Sequence, residues 1–140
     1  MKKGRGFTLM ELMIVVGIIG LLTAVAIPKF MQMIEKANVG ATLGNLSAIR
    51  SAVKMYYGAY TAHPPDITLN TPGFGESLGS TMPGVKCAHP TSAPPKGNGV
   101  TRGDSIPSTE GNGWYYNYAT GNVYINSTAR DINGNHYTVY

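Results

Sequence analysis

The chain has 140 residues, only 13% of them charged, with 18 Gly and 9 Pro. Its formal charge is +4, from 11 Lys+Arg against 7 Asp+Glu. This length allows one ordinary domain and excludes two independent cores, and the single Cys excludes an intramolecular disulfide or a Cys-based zinc cluster. The apolar residues crowd into the first third, as in a short membrane-active segment fused to a small polar domain. Residues 1–6 carry Lys2, Lys3 and Arg5, and residues 12–28 carry no charge. A basic head followed by an apolar run is how a secretory signal begins. Ala24-Val25-Ala26 offers a small-x-small cleavage site, which would start the mature chain near Ile27. Glu11 argues against that reading, because a carboxylate inside an inserted helix is costly and a disposable signal has nothing to offset it. If the chain is instead cut after Gly6, Phe7 supplies a free amine four residues before Glu11. On a continuous helix that amine shares a face with the acid, and the amine of a neighbouring copy serves equally.

The run Gly6-Phe7-Thr8-Leu9-Met10-Glu11-Leu12-Met13-Ile14-Val15-Val16, followed by Pro28, resembles the type IV prepilin and pseudopilin family with its class III signal peptide. The resemblance covers about residues 1–57. It implies that a prepilin peptidase cuts after Gly6 and methylates the Phe7 amine, giving N-methylphenylalanine. It also implies that Glu11 serves assembly by pairing with the N-terminal amine of an adjacent subunit.

Residues 7–27 form an apolar run of about 21 residues, roughly 30 Å as a helix, enough to span a bilayer. Gly17 and Gly20 weaken this helix, and Pro28 removes an amide donor and favours a kink. The resemblance implies that the stretch from Gly20 to Pro28 can lose helicity in a filament; Gly and Pro are also common in membrane helices.

Beyond Pro28 an amphipathic helix is expected to about Tyr60. At 100° per residue, Val39, Ile49, Val53, Tyr57 and Tyr60 fall within about 60° of Leu46, a stripe of large residues suited to packing on the C-terminal domain. A second stripe, about 160–240° away, holds Phe30, Ile34, Ala37, Ala41, Gly44, Ala48 and Ala52. Its small side chains permit close helix–helix approach, as a filament would need, although helix propensity alone also favours Ala on an exposed face. Lys36 and Arg50 lie between the stripes. The whole helix, Phe7 to Tyr60, is about 54 residues or roughly 80 Å, a length that makes sense mainly if other copies bury it.

His63-Pro64-Pro65 is expected to end the helix. Residues 61–112 hold eight Gly and eight Pro. They read as loops with one or two short strands or helical turns, for example around Phe74–Leu78. The tail reads as an antiparallel meander of three strands: Trp114–Tyr118, Val123–Asn126 and His136–Tyr140. Its turns fall at Ala119–Asn122 and Asp131–Asn135. Trp114, Tyr116, Tyr118, Val123 and Ile125 should face the helix. The expected fold is α+β: one long N-terminal helix packed on a small antiparallel sheet. The divisions are leader 1–6, membrane and polymerisation half 7–28, amphipathic half 29–60, and a β-rich domain 61–140.

Catalytic chemistry is not apparent. His63, His89 and His136 lack metal-ligand spacing, and Cys87 has no nearby base in sequence. The Cys pair that closes a C-terminal loop in many pilins is missing, which leaves intermolecular pairing of Cys87 open. Asp131, Asn133 and Asn135 alternate as a weak calcium candidate, a feature some secretion pseudopilins have, but an Asn-Gly turn fits the same residues. Asn45-Leu46-Ser47 and Asn126-Ser127-Thr128 match the glycosylation sequon, read as chance in a bacterial-looking precursor. No cofactor is expected. Loss of Lys2, Lys3 and Arg5 leaves eight basic against seven acidic residues, too even for a nucleic-acid footprint. Those leader cations hold the N-terminus in the cytoplasm.

The sequence therefore reads as a structural protein rather than an enzyme: a type IV pilin that forms a homo-oligomeric filament (a pilus or fimbrium serving adhesion or motility). Its partners would be lipid before assembly, the prepilin peptidase and the inner-membrane assembly machinery. It would sit as a single-pass inner-membrane precursor and then in an extracellular or periplasmic filament. The alternatives are a pseudopilin of a type II secretion system and a membrane-anchored binding module that uses the loops of 61–112.

Overall fold

The computed structural model describes residues 6–79, 81–87, 97–108, 111, 113–131 and 133–140. The leader cations Lys2, Lys3 and Arg5, His89 and one turn residue, Ile132, lie outside them. The elements in chain order are α1 (Leu9–Tyr60), α2 (Phe74–Leu78), β1 (Val100–Gly103), β2 (Trp114–Asn117), β3 (Asn122–Ile125) and a 3-10 turn over Tyr137–Val139. By contact density the chain divides into residues 1–34 and 35–140.

In the first unit, the apolar run of α1 is helical throughout and continues past Pro28. Every described residue from 6 to 34 is exposed. An 18-residue window of α1 has a mean hydropathy of 2.5, so the helix is long and apolar enough to cross a membrane. The Thr23 hydroxyl folds back onto the Ile19 carbonyl at 2.7 Å, which removes that polar group from an apolar surface.

The second unit has its own core. Val39, Thr42, Leu46, Ile49, Ala52 and Val53 are buried along one side of α1, at the three- and four-residue steps of an amphipathic helix. The apolar ones join Ile67, Phe74, Met82, Val85, Cys87, Trp114, Tyr116, Val123, Ile125 and Tyr137 in one cluster. Thr42 is the polar residue on this buried side: its hydroxyl donates to Asn38 O at 2.9 Å and accepts the Lys86 amide at 3.0 Å. The large stripe is shorter than expected at its C-terminal end. Tyr57 and Tyr60 are exposed, and half-buried Tyr56 continues the buried face instead.

The helix stops at Tyr60, three residues before the His63-Pro64-Pro65 signal. Thr61 then turns left-handed at φ 56°, an uncommon setting for a β-branched residue. Buried Pro64 accepts a 2.6 Å hydrogen bond from the Tyr116 hydroxyl through its carbonyl, which ties the helix exit to the sheet.

The sheet is mixed rather than antiparallel, in the order β1-β2-β3. The β2–β3 hairpin matches the expectation, with Trp114 opposite Ile125 and Asn117 opposite Asn122. Asn117 Oδ1 accepts the amides of Ala119 and Thr120, both at 3.0 Å, and Gly121 takes a positive φ of 71° to close the turn. Tyr118 belongs to this turn and is 47% exposed, so it does not face the core as expected. The third strand is β1, parallel to β2 with Val100 opposite Trp114.

His136–Tyr140 is not a strand. A single bridge joins Arg130 to His136, and a 3-10 turn follows. The physical reason lies in α1. Strand pairing alternates, and Asn126 bonds to Gly113, so the Val123 carbonyl points away from β2. Arg50 takes that carbonyl through Nε at 3.1 Å and Nη2 at 2.8 Å. Nη2 also donates to the main-chain oxygen of Tyr140. A side chain thus occupies the edge position that a further strand would need.

Candidate functional site

The N-terminal segment has a definite local geometry. Leu9 is the first helical residue, which makes Thr8 the N-cap and Glu11 the third residue of the helix. The Thr8 amide and hydroxyl each donate to Glu11 Oε2 at 2.9 Å, and the Glu11 amide donates to the Thr8 hydroxyl at 3.2 Å. The Leu12 amide bonds to Thr8 O at 3.3 Å. This is a reciprocal capping box, which satisfies amides that a helix start otherwise leaves unpaired. The signal was present in the sequence as Thr-x-x-Glu ahead of an apolar run, and it adds Thr8 to the expected site residues.

The box describes the uncleaved chain. Helix-face pairing of Phe7 with Glu11 needs Phe7 in the helix, but Phe7 precedes the cap. In this uncleaved chain Phe7 has no free amine, and the carboxylate turns to Thr8. Phe7 is 84% exposed, and a Cβ placed on Gly6 would meet no atom within 4 Å. Both residues of the Gly6–Phe7 bond are thus exposed. Gly17 and Gly20 likewise have open space around them and stay helical with Pro28.

Within the first unit, Phe30 and Ile34 are exposed. Within the second, Ala37, Ala41, Gly44 and Ala48 are also exposed. Ala52 is a correction: it is 1% exposed and belongs to the internal core, so it is not available to a neighbouring copy. The buried arc reaches further round the helix than the Leu46-centred stripe, through Ile49 to Ala52 and Tyr56.

Two other candidates are placed by the domain's own hydrogen bonds. Asp131 Oδ1 accepts the amides of Asn133 and Asn135, both at 2.8 Å, while Oδ2 accepts Asn133 Nδ2 at 3.2 Å and the Tyr140 hydroxyl at 2.5 Å. Burial alone would raise the pKa of this carboxyl, but the four bonds outweigh it and the net shift is downward. Donors stand where a cation would have to sit, so this geometry suits a turn better than a calcium loop. Among the described residues no three His, Cys, Asp or Glu side chains gather as a metal site. Cys87 is fully buried and burial raises its thiol pKa, which opposes the intermolecular disulfide left open by the sequence. Both sequon amides are engaged inside the domain: Asn45 Nδ2 with Gly84 O at 2.8 Å, and Asn126 Nδ2 with Thr101 Oγ1 at 2.9 Å.

Comparison with known proteins bears on the same segment. Residues 1–27 match the family described as the Prokaryotic N-terminal methylation motif. The chain is 36% identical over 84 residues to the type IV narrow pilus major component PilA5 of Thermus thermophilus, covering 56% of this chain and 69% of that one. It is 46% identical over 55 residues to the type IV major pilin protein PilA of Myxococcus xanthus, 39% of this chain and 25% of that one. It is 41% identical over 63 residues to the type II secretion system core protein G of Pseudomonas aeruginosa, 45% of this chain and 44% of that one. The chain thus spans a quarter of the Myxococcus pilin and 35% of a Pseudomonas aeruginosa fimbrial protein that it also resembles. No solved structure matches it. With the capped apolar helix, the small mixed sheet and these relatives together, the chain belongs to the type IV pilin and pseudopilin family.

Proposed function

We propose that the chain is the precursor of a structural subunit that polymerises into a helical surface filament. A prepilin peptidase cuts between Gly6 and Phe7 and methylates the new amine. Before assembly, α1 holds the subunit in the inner membrane with the leader on the cytoplasmic side. The assembly machinery then moves the apolar half of α1 from lipid into a bundle of its own copies.

The observation that carries this reading is the exposure of every described residue from 6 to 34, an apolar surface that needs a cover. Glu11 then acts in register. A charge left unpaired in such a bundle is strongly disfavoured, so the carboxylate exchanges Thr8 for the Phe7 amine of a neighbour. The role is structural, and no enzymatic step by this chain is part of it. Electron microscopy of material sheared from cells tests the reading: long filaments containing this chain support it.

A second reading, a pseudopilin of a type II secretion system in a short periplasmic filament, is favoured by the similarity to core protein G. A secretion defect on deletion, with no surface filaments, would select it.

A further inference from the structure

We propose that Glu35 of each subunit holds the ammonium of Lys29 from a neighbouring copy, a contact that rests on the chain being a filament subunit. The first sign is a carboxylate without a partner. Glu35 is half-buried, and its Oε1 is buried with no hydrogen-bond donor. The Tyr137 hydroxyl is buried without a partner too. Burial chiefly raises the pKa of that phenol and the Glu35 charge adds to the shift, so the two groups are near each other yet unbonded. A half-buried carboxylate with an unmet oxygen costs the domain stability unless something else compensates it.

Its own helix supplies no cation. A helical side chain pairs at steps of three or four residues, and those positions hold Met31, Gln32, Asn38 and Val39. The ion pair found among the described residues is Arg102 with Asp66 at 3.7 Å.

Lys29 has the opposite need. It is the single charged residue from 12 to 34, exposed among Ala26, Ile27, Phe30, Met31 and Met33. Once copies cover that apolar surface, its ammonium is left unpaired unless an anion comes with the cover, and a buried lone charge is strongly disfavoured. The acids nearest to it in sequence are Glu11, which the Phe7 amine of a neighbour takes, and Glu35. Lys29 and Glu35 cannot serve each other within one helix: six residues set them about 240° apart around it and about 9 Å apart along it. The pair therefore forms between copies.

The register agrees. Copies in a helical filament share one axial translation. A Phe7 amine at the Glu11 of the next copy makes that translation about four residues, or ~6 Å. Glu35 then lies level with residue 31 of the same neighbour, two residues or about 3 Å from its Lys29. A lysine side chain spans that distance. Such a contact joins two different patches of one surface, the heterologous kind that builds open helical filaments.

Carbodiimide treatment of filaments sheared from cells tests the pair, since the reagent joins a carboxylate to an amine only where the two touch. Denaturing gels should show linked multimers, and mass spectrometry of them should find a peptide joining Glu35 to Lys29. Lys29→Arg keeps the charge, so it should assemble as the parent does but give no such link. Glu35→Lys and Lys29→Glu should each lower filament yield at least about fivefold, and the double exchange should restore it to within about twofold of the parent. Leader cleavage on immunoblots should be unchanged throughout. Glu35→Gln in micelles should unfold at or above the parent's temperature, because the carboxylate it removes has no partner in its own chain. Four results would each overturn the pair while leaving the subunit's role in filaments intact: parent filaments without the Glu35–Lys29 link, single exchanges that assemble normally, a double exchange that stays defective, or a lower unfolding temperature for Glu35→Gln. No filaments from the parent would defeat that role, and the pair with it.

Discussion

Thr8 and Glu11 satisfy each other at the first turn of α1, with two bonds to one carboxylate oxygen at 2.9 Å and a return bond at 3.2 Å. The pair gives Glu11 a partner inside its own chain before any neighbour is present. Glu11→Ala should therefore leave leader cleavage intact and abolish filaments or reduce them greatly. Immunoblotting of the processed form and filament counts by microscopy check both halves, and normal filament yield in Glu11→Ala would defeat the register argument. Thr8→Val should remove an N-cap worth about 1 kcal/mol. Hydrogen exchange at the Glu11 and Leu12 amides in micelles should rise several-fold, while Thr8→Ser should keep the parent's protection.

A bulky group on the small face separates filament packing from domain stability. A Cβ on Gly44 would meet no atom of the chain within 4 Å, so Gly44→Leu should not destabilise the domain and, by helix propensity, should stabilise it by about 0.5–1 kcal/mol. Filament yield should fall sharply, since close helix approach depends on small residues. Unchanged yield would place the packing face elsewhere on α1.

Arg50 joins α1, β3 and the C-terminal segment through charge-assisted bonds. Arg50→Met keeps much of the stem and removes the donors. It should lower domain stability by about 2–3 kcal/mol, the usual scale for hydrogen bonds to charged groups. Thermal unfolding of the full-length chain in micelles checks it.

Alkaline pH should weaken the domain. Burial raises the Cys87 thiol, pushes Tyr116 up to about 12, and raises Tyr137, with Cys87 adding to the last shift. A group whose proton is held more tightly in the folded state contributes its full stability below its unfolded pKa. That contribution is lost as pH rises toward the folded value. Stability should decline from about pH 8.5, where an unfolded thiol titrates, and more steeply above about pH 10, where an unfolded tyrosine does. Cys87→Ala should flatten the first part of that decline. A thiol reagent at neutral pH should leave native Cys87 unmodified and label it in denaturant.

The legible parts of the fold were those fixed locally. The apolar run from Phe7, the helix past Pro28 and the short helix at Phe74–Leu78 depend on neighbours in sequence. The Trp114–Ile125 hairpin does too, since alternation and Gly121 sit within one segment. Residues 136–140 misled because the competitor for the β3 edge is Arg50, far away in sequence. The parallel partner Val100–Gly103 gave no periodic signal among Gly and Pro, and its pairing with Trp114–Asn117 is non-local. At the candidate site, the membrane cost of one carboxylate draws attention to Glu11, while cutting at Gly6–Phe7 is what the family resemblance implies. Thr8 was readable from the capping-box spacing but carries no charge to draw attention. Ala52 was misplaced because a period of 100° per residue sets angles, not the width of the face a domain covers.

The central claim is that the chain is cut after Gly6 and built into a filament of its own copies. Intact-mass and N-terminal fragment analysis of filaments sheared from cells tests it most directly. The account predicts a subunit that starts at Phe7 and carries one methyl group on its amine. Filaments lacking this chain, or a mature form that starts at Ile27, would contradict it.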